Sequence, residues 1–302
     1  MLNIYKKISS SHPIQIAIAW AILNGFTLAF IGVSAKYLSD DFNSIEIIFQ
    51  RSSVALIIII LLLIISRNIS LVRTNNFSLH AKRSLTGLIS VAIIFHAFSL
   101  IPIAEATAIV FFSPVIATIL SIIFLGERVG INRIIAMIVG FIGVITIISP
   151  TGDNILLYGS LVALLGAFTS ALVKVQLRSM GKSESSVTTI FYFMLFCTLV
   201  SGAYVAIFSD ISALNFTKDD VIFAIMVIAV STVISQMGKT EALKLSEVSI
   251  ITPLEYLSII WTIFLGVIIF GDIPAITTYI GASMIIASNI YIIYRERKNK
   301  ND

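Results

Sequence analysis

Long apolar segments separated by short polar ones occupy almost the whole of this 302-residue chain. Most of these segments are close to the roughly 20 residues that a helix needs to cross about 30 Å of hydrocarbon. The longest polar interval, between the second and third segments, is too short for a separate soluble domain. The pattern predicts ten membrane-spanning helices, at about 14–36, 44–66, 83–101, 105–125, 131–149, 155–177, 187–208, 220–238, 248–270 and 275–294.

The composition agrees with a lipid environment. Hydrophobic residues make up 58% of the chain and charged residues only 12%, and the mean hydropathy is +1.02. A soluble domain carries about 25% charged residues, because its surface must be hydrated. We therefore predict an all-α integral membrane protein.

The positive charges predict the orientation of the helices. If the N-terminus is cytoplasmic, seventeen lysines and arginines, among them Lys82 and Arg83, fall on the cytoplasmic side. Only Lys36 and Lys218 fall outside, and Arg51 lies within a span. This bias favours a multi-pass protein of the cytoplasmic (inner) membrane with both termini in the cytoplasm. It also explains the net charge of +4 without a nucleic-acid partner.

The two halves of the chain resemble each other at offsets of 138 and 145 residues. Lys36 in the first predicted helix corresponds to Lys174 in the sixth, and "FLGERV" at Phe124 corresponds to "IFGDIP" at Ile269. Because five helices per half is an odd number, the second half must insert with the opposite orientation. We therefore predict two inverted five-helix repeats, residues 1–150 and 151–302, as in many alternating-access transporters. The alternative is a duplication retained for packing alone.

Two stretches resemble a known family. The stretch "IPIAEATAIVFFSPVIATILSIIFLGERVGINRIIAMIVGFIGV", from Ile101, resembles the fourth and fifth helices of EamA-type members of the drug/metabolite transporter superfamily. The stretch "ITPLEYLSIIWTIFLGVIIFGDIPAITTYIGASMIIASNIYIIYRERK", from Ile251, resembles the last two helices. The resemblance covers about residues 14–298. It implies ten helices in two inverted halves, a central cavity and no ATP-binding part.

The resemblance also implies a function. Members of this superfamily move amino acids, nucleotide-type metabolites, vitamins or drugs, some inward and some outward. We expect a secondary active transporter of a small organic metabolite, such as an amino acid, a nucleoside or S-adenosylmethionine-like compound, or a vitamin-like compound. A proton or a counter-substrate is expected to supply the coupling. The alternatives are a drug/metabolite efflux pump of broad specificity or a non-transporting scaffold, and a homodimer is left open.

Pro253 and Glu255 interrupt the ninth apolar segment. Proline removes a backbone donor, and a Glu side chain this far into a span is too short to reach water easily. We expect this helix to line the transport path, with Glu255 and the adjacent Tyr256 facing the substrate. The competing interpretation is a structural ion pair of Glu255 with Lys239 or Lys174. Pro114 is expected to break the fourth helix in the same way as Pro253.

Arg51, in "FQRSS", lies about seven residues into the second span. Its planar guanidinium suits a substrate carboxylate or phosphate, and Gln50 beside it offers further hydrogen bonds. The alternative for Arg51 is that its side chain extends to the membrane surface. His96 is a candidate proton relay or substrate contact, against a histidine satisfied by a backbone carbonyl. Lys36 and Lys174 are candidates for a gate.

Aromatic side chains complete the candidate substrate contacts. Trp20, Tyr192, Tyr256 and Trp261 could stack on a planar substrate, against the alternative of membrane-interface anchors or packing. The sequence carries no phosphate-binding lysine loop, no serine-nucleophile motif and no zinc-binding motif. We therefore expect no enzymatic activity, no cofactor and no metal site.

Overall fold

The computed structural model describes residues 13–67, 69–74, 76–125, 131–148, 154–180, 185–209, 219–245 and 257–299. These residues are helical apart from short turns, and no strand occurs among them, which confirms the prediction of an all-α fold. The elements are α1 Pro13–Leu38, α2 Ser44–Ile65, a short 3-10 helix Ile69–Val72, α3 Phe77–Leu100, α4 Ile103–Val110, α5 Ser113–Leu125, α6 Ile131–Ile148, α7 Asn154–Met180, α8 Ser186–Phe208, α9 Asp219–Leu245, α10 Leu257–Phe270 and α11 Ile276–Asn299.

Six helices in the described residues are long and apolar enough to cross a membrane by length and composition. They are Gln15–Leu38, Ser44–Ile65, Phe77–Leu100, Leu156–Leu177, Ser186–Phe208 and Asp219–Ala242. Four shorter apolar stretches, within α4–α5, α6, α10 and α11, accompany them. Large apolar side chains such as Ile65, Ile207 and Phe223 are more than 70% exposed. Lipid is the solvent that such surfaces require.

α3 begins six residues earlier than the third predicted span. The prediction started that span at residue 83, because His80, Lys82 and Arg83 have the character of loop residues. In the structure the helix runs from Phe77, and both His80 and Arg83 are buried in it. Arg83, which the charge count assigns to the cytoplasmic side, is thus a buried helix residue, and the start of the third span differs from the prediction by six residues.

The fourth predicted span consists of two helices, α4 and α5, separated by Phe111 and Phe112. Phe111 N–H still donates to Thr107 O at 3.0 Å, whereas Phe112 N–H donates to Ile109 O at 2.9 Å, which is a tighter turn. Pro114 follows as the second residue of α5 and has no N–H to give to the preceding turn. The interruption thus lies directly before this proline.

The first helix of each half packs against the third helix of the other half. α1 lies antiparallel to α9, since the Trp20 carbonyl faces Gly238 at one end and Tyr37 Oη donates to Asp220 Oδ2 at 2.6 Å at the other. α7 lies against α3 in the same manner. Gly166 packs on Ile94, and farther along α7 Gln176 Nε2 donates to Thr86 Oγ1 at 2.9 Å.

The second helices of the two halves, α2 and α8, pack against each other, and so do the fifth helices, α6 and α11. Glu46 meets Ser209 near the start of α2 and the end of α8, so these helices are antiparallel. Gly143 of α6 and Gly281 of α11 approach so closely that a Cβ on either glycine would meet the other's carbonyl oxygen. Each pair thus joins corresponding helices that run in opposite directions.

Small side chains permit these close approaches. Ala17 and Ala21 of α1 form a buried cluster with Ala242 of α9. On α7 the row facing inward is also fully buried and consists of Ala163, Ala167 and Ala171. In lipid, helix association depends on such close packing, because apolar surface alone gives no drive for it.

Candidate functional site: two buried arginines

Arg51 is buried between α2, α3 and α9, with 3% of its surface exposed. Its Nη1 donates to Thr232 Oγ1 of α9 at 3.3 Å, and its guanidinium carbon lies 5.5 Å from the centre of the Phe95 ring of α3. Nε and Nη2 are buried and have no hydrogen-bond partner. One edge of the guanidinium is therefore satisfied and the other is unoccupied.

The start of α2 fixes the register that turns Arg51 inward. Asn43 Oδ1 accepts hydrogen bonds from the backbone N–H groups of Ile45 and Glu46, both at 3.0 Å. Glu46 Oε2 accepts from Asn43 N–H at 2.8 Å, and Glu46 Oε1 accepts from Ser209 Oγ at 2.6 Å. This capping box ties the first turn of α2 to the end of α8. Arg51 follows about one and a half turns later.

Arg83 is the second buried arginine, with 4% of its surface exposed. Its guanidinium carbon lies 4.1 Å from the centre of the Phe193 ring of α8, and its Nε and Nη1 are buried without a hydrogen-bond partner. Gly87, one turn further along α3, leaves room for that ring, since a Cβ there would lie 2.8 Å from Phe193 Cε2. Arg83 was not predicted as a site residue, because the neighbouring Lys82 and His80 resemble loop residues.

Cys197 of α8 links the two arginines. Its side chain is fully buried, one turn beyond Phe193, and both guanidinium charges are close enough to act on its sulfur. Arg51 lies near the start of α2, beside Phe95 near the end of α3, so these two helices are antiparallel. Arg83 lies near the opposite end of α3. The two arginines therefore approach Cys197 from opposite ends of the group formed by α2, α3 and α8, which we call the helix group.

Neither arginine forms an ion pair in the described part of the chain. Two carboxylates that are at least half-buried bind other groups. Glu46 accepts hydrogen bonds from Asn43 and Ser209, and Glu105 accepts one from Thr278 Oγ1 at 3.3 Å. A buried charge without a counter-charge costs several kcal/mol. Two such cations, Arg51 on α2 and Arg83 on α3, form a site that favours the binding of an anion.

An aromatic layer lies at the Phe77 end of α3, near Arg83. His80 stacks on Tyr192 with ring centroids 5.0 Å apart, and Tyr192 Oη donates to the Val72 carbonyl at 3.0 Å. Thr188 Oγ1 donates to the Leu71 carbonyl at 2.5 Å. Tyr192, a predicted substrate contact, is thus placed where it also anchors the 3-10 helix to α8.

The structure gives the other predicted contacts different surroundings. Gln50, which precedes Arg51 in α2, is buried. His96 is exposed, with its ring centroid 6.4 Å from that of Tyr158. Trp261 is 38% exposed and stacks edge-on with Phe26 of α1. Trp20 is half-buried against the alanine cluster of α1 and α9.

The predicted gate lysines lie in different surroundings. Lys36 Nζ donates to the Phe98 and Ile101 carbonyls at the end of α3, both at 3.3 Å, and lies 5.6 Å from the centre of the Phe270 ring of α10. Lys174 Nζ donates to Ser113 Oγ at 3.0 Å. Lys239 is half-buried in α9. Lys36 thus connects three helices at one end of the bundle.

Three predicted site residues, Pro253, Glu255 and Tyr256, lie outside the described residues. Within the residues that the structure does describe, no group of three or more His, Cys, Asp or Glu side chains is arranged to hold a metal ion. The two arginines are therefore the main concentration of buried charge that the described helices present.

Comparison with protein families gives two matches along the chain. The sequence profile of the EamA-like transporter family matches residues 15–149 and again residues 157–294. The two matches fall on α1–α6 and on α7–α11. They correspond to the two halves that pack against each other in the structure.

Several named transporters are similar over nearly their whole length. A riboflavin transporter of Vibrio cholerae is 26% identical over 95% of each chain. An S-adenosylmethionine uptake transporter of Rickettsia bellii is 24% identical over 94% of this chain and 95% of its own. A pseudopaline exporter of Pseudomonas aeruginosa is 24% identical over 89% and 93%, respectively.

A solved crystal structure shares the fold. It superposes with a TM-score of 0.67 at 17% sequence identity, covering 95% of this chain and 98% of the other. The helices of the two proteins are therefore arranged in the same way over almost the whole of both chains.

Proposed function

The chain belongs to the EamA-like transporter family, and we propose on that premise that it is a secondary transporter of a small organic metabolite. It crosses the cytoplasmic membrane ten times, in two inverted five-helix repeats, with both termini in the cytoplasm. The substrate, the lipid bilayer and a coupling proton or counter-substrate are its partners. The named relatives carry different compounds, so the substrate has to be found from the site.

The observation that carries this proposal is that helices of one half pack against helices of the other half. α1 packs on α9 and α7 packs on α3, while α2 with α8 and α6 with α11 pair corresponding helices in antiparallel fashion. Inverted repeats of this type place a substrate site near the middle of the membrane and allow one half to rock against the other. A scaffold or an ordinary helical bundle has no need of two antiparallel halves.

Contacts near Lys36 support a closed end of the transport path. Gly32 of α1 lies against Ile103 of α4 and Phe98 of α3, and Lys36 binds the last carbonyls of α3 while facing Phe270 of α10. A lysine at a helix C-terminus binds unpaired carbonyls and interacts favourably with the helix dipole. We expect this contact to break when the path opens on this side.

Within this function the main alternatives are the two directions of transport, uptake and export. Both an uptake transporter and an exporter occur among the relatives at 24% identity. A broad-specificity drug/metabolite exporter is therefore the second candidate. Coupling distinguishes the two directions, because an inward proton gradient drives uptake when substrate and proton move together and export when they move in opposite directions.

The test is a flux measurement on purified full-length protein in proteoliposomes, with protein-free liposomes as the control. Riboflavin, S-adenosylmethionine, amino acids and nucleosides are each offered with and without a proton gradient and with unlabelled compound on the opposite side. Saturable flux of at least one compound is the expected result. Folded protein that gives no saturable flux of any compound would contradict the proposed function.

A further inference from the structure

We propose that Arg51 and Arg83 bind the acid group of the transported metabolite, so that the substrate is an organic acid with a carboxylate or a phosphate. This inference rests on the proposed transport function and identifies the substrate class. It adds Arg83, which no family resemblance assigns, and it makes charge, rather than an aromatic ring system, the feature that the carrier selects.

The donors that Arg51 leaves unused have the geometry of an acid-binding fork. In a guanidinium group the Nε–H and the Nη2–H point to the same side, which is the edge that binds both oxygens of a carboxylate or phosphate. Thr232 Oγ1 accepts a hydrogen bond from Nη1, so the Nε–H and Nη2–H donors of this edge stay available. A structural arginine would be expected to use the same edge for a carbonyl or a carboxylate of the protein.

Arg83 provides a second cation on the other side of Cys197. Nε and Nη1 of Arg83 lie on different edges of its guanidinium, so this side chain offers two separate donors. At 1.5 Å per residue, Arg51 stands about 10 Å from the start of α2 and Arg83 about 9 Å from the start of α3, at opposite ends of the helix group. The two side chains therefore reach the acid group from opposite sides, so that loss of either one weakens its binding.

Phe95 and Phe193 hold the two guanidinium groups in place before a ligand binds. Each ring lies against one of them, at 5.5 Å for Arg51 and 4.1 Å for Arg83. A desolvated cation is attracted to the face of an aromatic ring, but the ring takes none of the in-plane N–H donors. The stacking therefore positions the arginines and leaves their hydrogen-bonding edges for a ligand.

Two structural explanations for these arginines do not fit. Extension of the side chain to the membrane surface would leave the guanidinium exposed, whereas Arg51 and Arg83 are only 3% and 4% exposed. A structural ion pair would need a carboxylate, and none pairs with either group in the described part of the chain. An anion that enters with the substrate supplies the missing counter-charge.

The experiment compares each acid with its neutral counterpart on the full-length protein in lipid nanodiscs. The probes are N-acetylmethionine and N-acetylmethioninamide, adenosine monophosphate and adenosine, and riboflavin 5′-phosphate and riboflavin. A bound ligand raises the melting temperature by mass action. We expect at least one acid to raise it by several degrees while its neutral counterpart has no effect, and we expect that acid to compete in the flux assay.

Variants then assign the site. Arg51→Gln and Arg83→Gln should each weaken binding of that acid at least tenfold, and Arg51→Lys, which keeps the charge but loses the fork, should weaken it several-fold. Arg73→Gln removes an exposed arginine and Lys82→Gln removes the exposed neighbour of Arg83, so both should bind as the native protein does. Size-exclusion profiles verify that each variant is folded, and the lysine variants replace any glutamine variant that is not.

The possible results separate this inference from the proposed function. If no acid is bound, or if a neutral counterpart binds as tightly as its acid, the acid-substrate inference is overturned, although flux of a neutral compound would keep the transporter proposal. Native binding of an acid by both Arg51→Gln and Arg83→Gln would also overturn the site. Absence of flux for every compound concerns the transporter proposal itself.

Discussion

Arg83 lies against the face of Phe193, with its guanidinium carbon 4.1 Å from the ring centre and two of its N–H donors unpaired. The contact joins the third helix of the first half to the second helix of the other. The ring contact stabilises such a cation by about 2 kcal/mol, while its burial without a counter-charge costs several kcal/mol. This imbalance has a direct consequence for stability.

Arg83→Met should therefore stabilise the substrate-free protein, or leave it unchanged. Methionine fills a similar volume without the desolvation penalty, and we expect the free energy of unfolding to rise by about 1 to 2 kcal/mol. Thermal melting in nanodiscs measures the effect. Arg73→Met, at an exposed position, is the matched control and should change little. A drop of several degrees for Arg83→Met alone would mean that the arginine has a structural partner.

Gly281→Ala should separate α6 from α11. A Cβ at this position meets the Gly143 carbonyl oxygen and lies 2.5 Å from Ile147 Cγ1, so the backbones have to move apart. Overpacking of this kind costs about 1 to 3 kcal/mol. Thermal melting is the measurement, and Ala287→Val, which adds more volume at an exposed position of α11, is the control. Equal melting temperatures for the two variants would contradict the close crossing.

Cys197 should react slowly with N-ethylmaleimide and faster when the helix group opens. It is the single cysteine of the chain and is fully buried. Labelling of a buried thiol requires an opening of its surroundings. We expect a rate at least about tenfold below that of a cysteine introduced at exposed Asp40 in a Cys197→Ala background. An acid bound at Arg51 and Arg83 should slow labelling of Cys197 further. Equal rates at the two positions would contradict the packing around Cys197.

Lys36→Met should weaken the closed end of the path. The change removes both hydrogen bonds to the Phe98 and Ile101 carbonyls and the contact with Phe270. Because these contacts stabilise only the closed arrangement, their loss shifts the population toward the open one. The measurement is the labelling rate of a cysteine at the buried Ser34, two residues before Lys36, in a Cys197→Ala background, with and without Lys36→Met. We expect the rate to increase several-fold.

The control for that experiment is Lys82→Met, which removes an exposed lysine near the other end of the bundle. It should leave the labelling rate at residue 34 unchanged. If Lys36→Met and Lys82→Met behave alike, Lys36 does not hold this end closed.

Hydropathy predicted the bounds of the most apolar long helices closely. The second span was predicted at 44–66 and the seventh at 187–208, and the helices run Ser44–Ile65 and Ser186–Phe208. The prediction was less accurate where polar residues are buried in a helix. His80 and Arg83 moved the predicted start of the third span to residue 83, because hydropathy cannot distinguish a buried arginine from a loop arginine.

The candidate site was only partly accessible from the sequence for the same reason. Arg51 stands out because apolar residues surround it, and the structure places it in a buried position with an unoccupied edge. Arg83 gives no such signal. His96 and Phe95 are adjacent in sequence, yet Phe95 faces Arg51 while His96 is exposed. Which side of a helix faces inward depends on its partners, and those come from the other half of the chain.

The antiparallel pairing of α2 with α8 and of α6 with α11 also bears on the origin of the chain. Each of these helices meets its own counterpart, which is the arrangement that two identical subunits adopt about a two-fold axis. The same surfaces would close an isologous dimer of a single five-helix protein inserted in both orientations. Fusion of two such genes would then have freed each copy to diverge: the eighth residue of α2 is Arg51, whereas the eighth residue of α8 is Phe193.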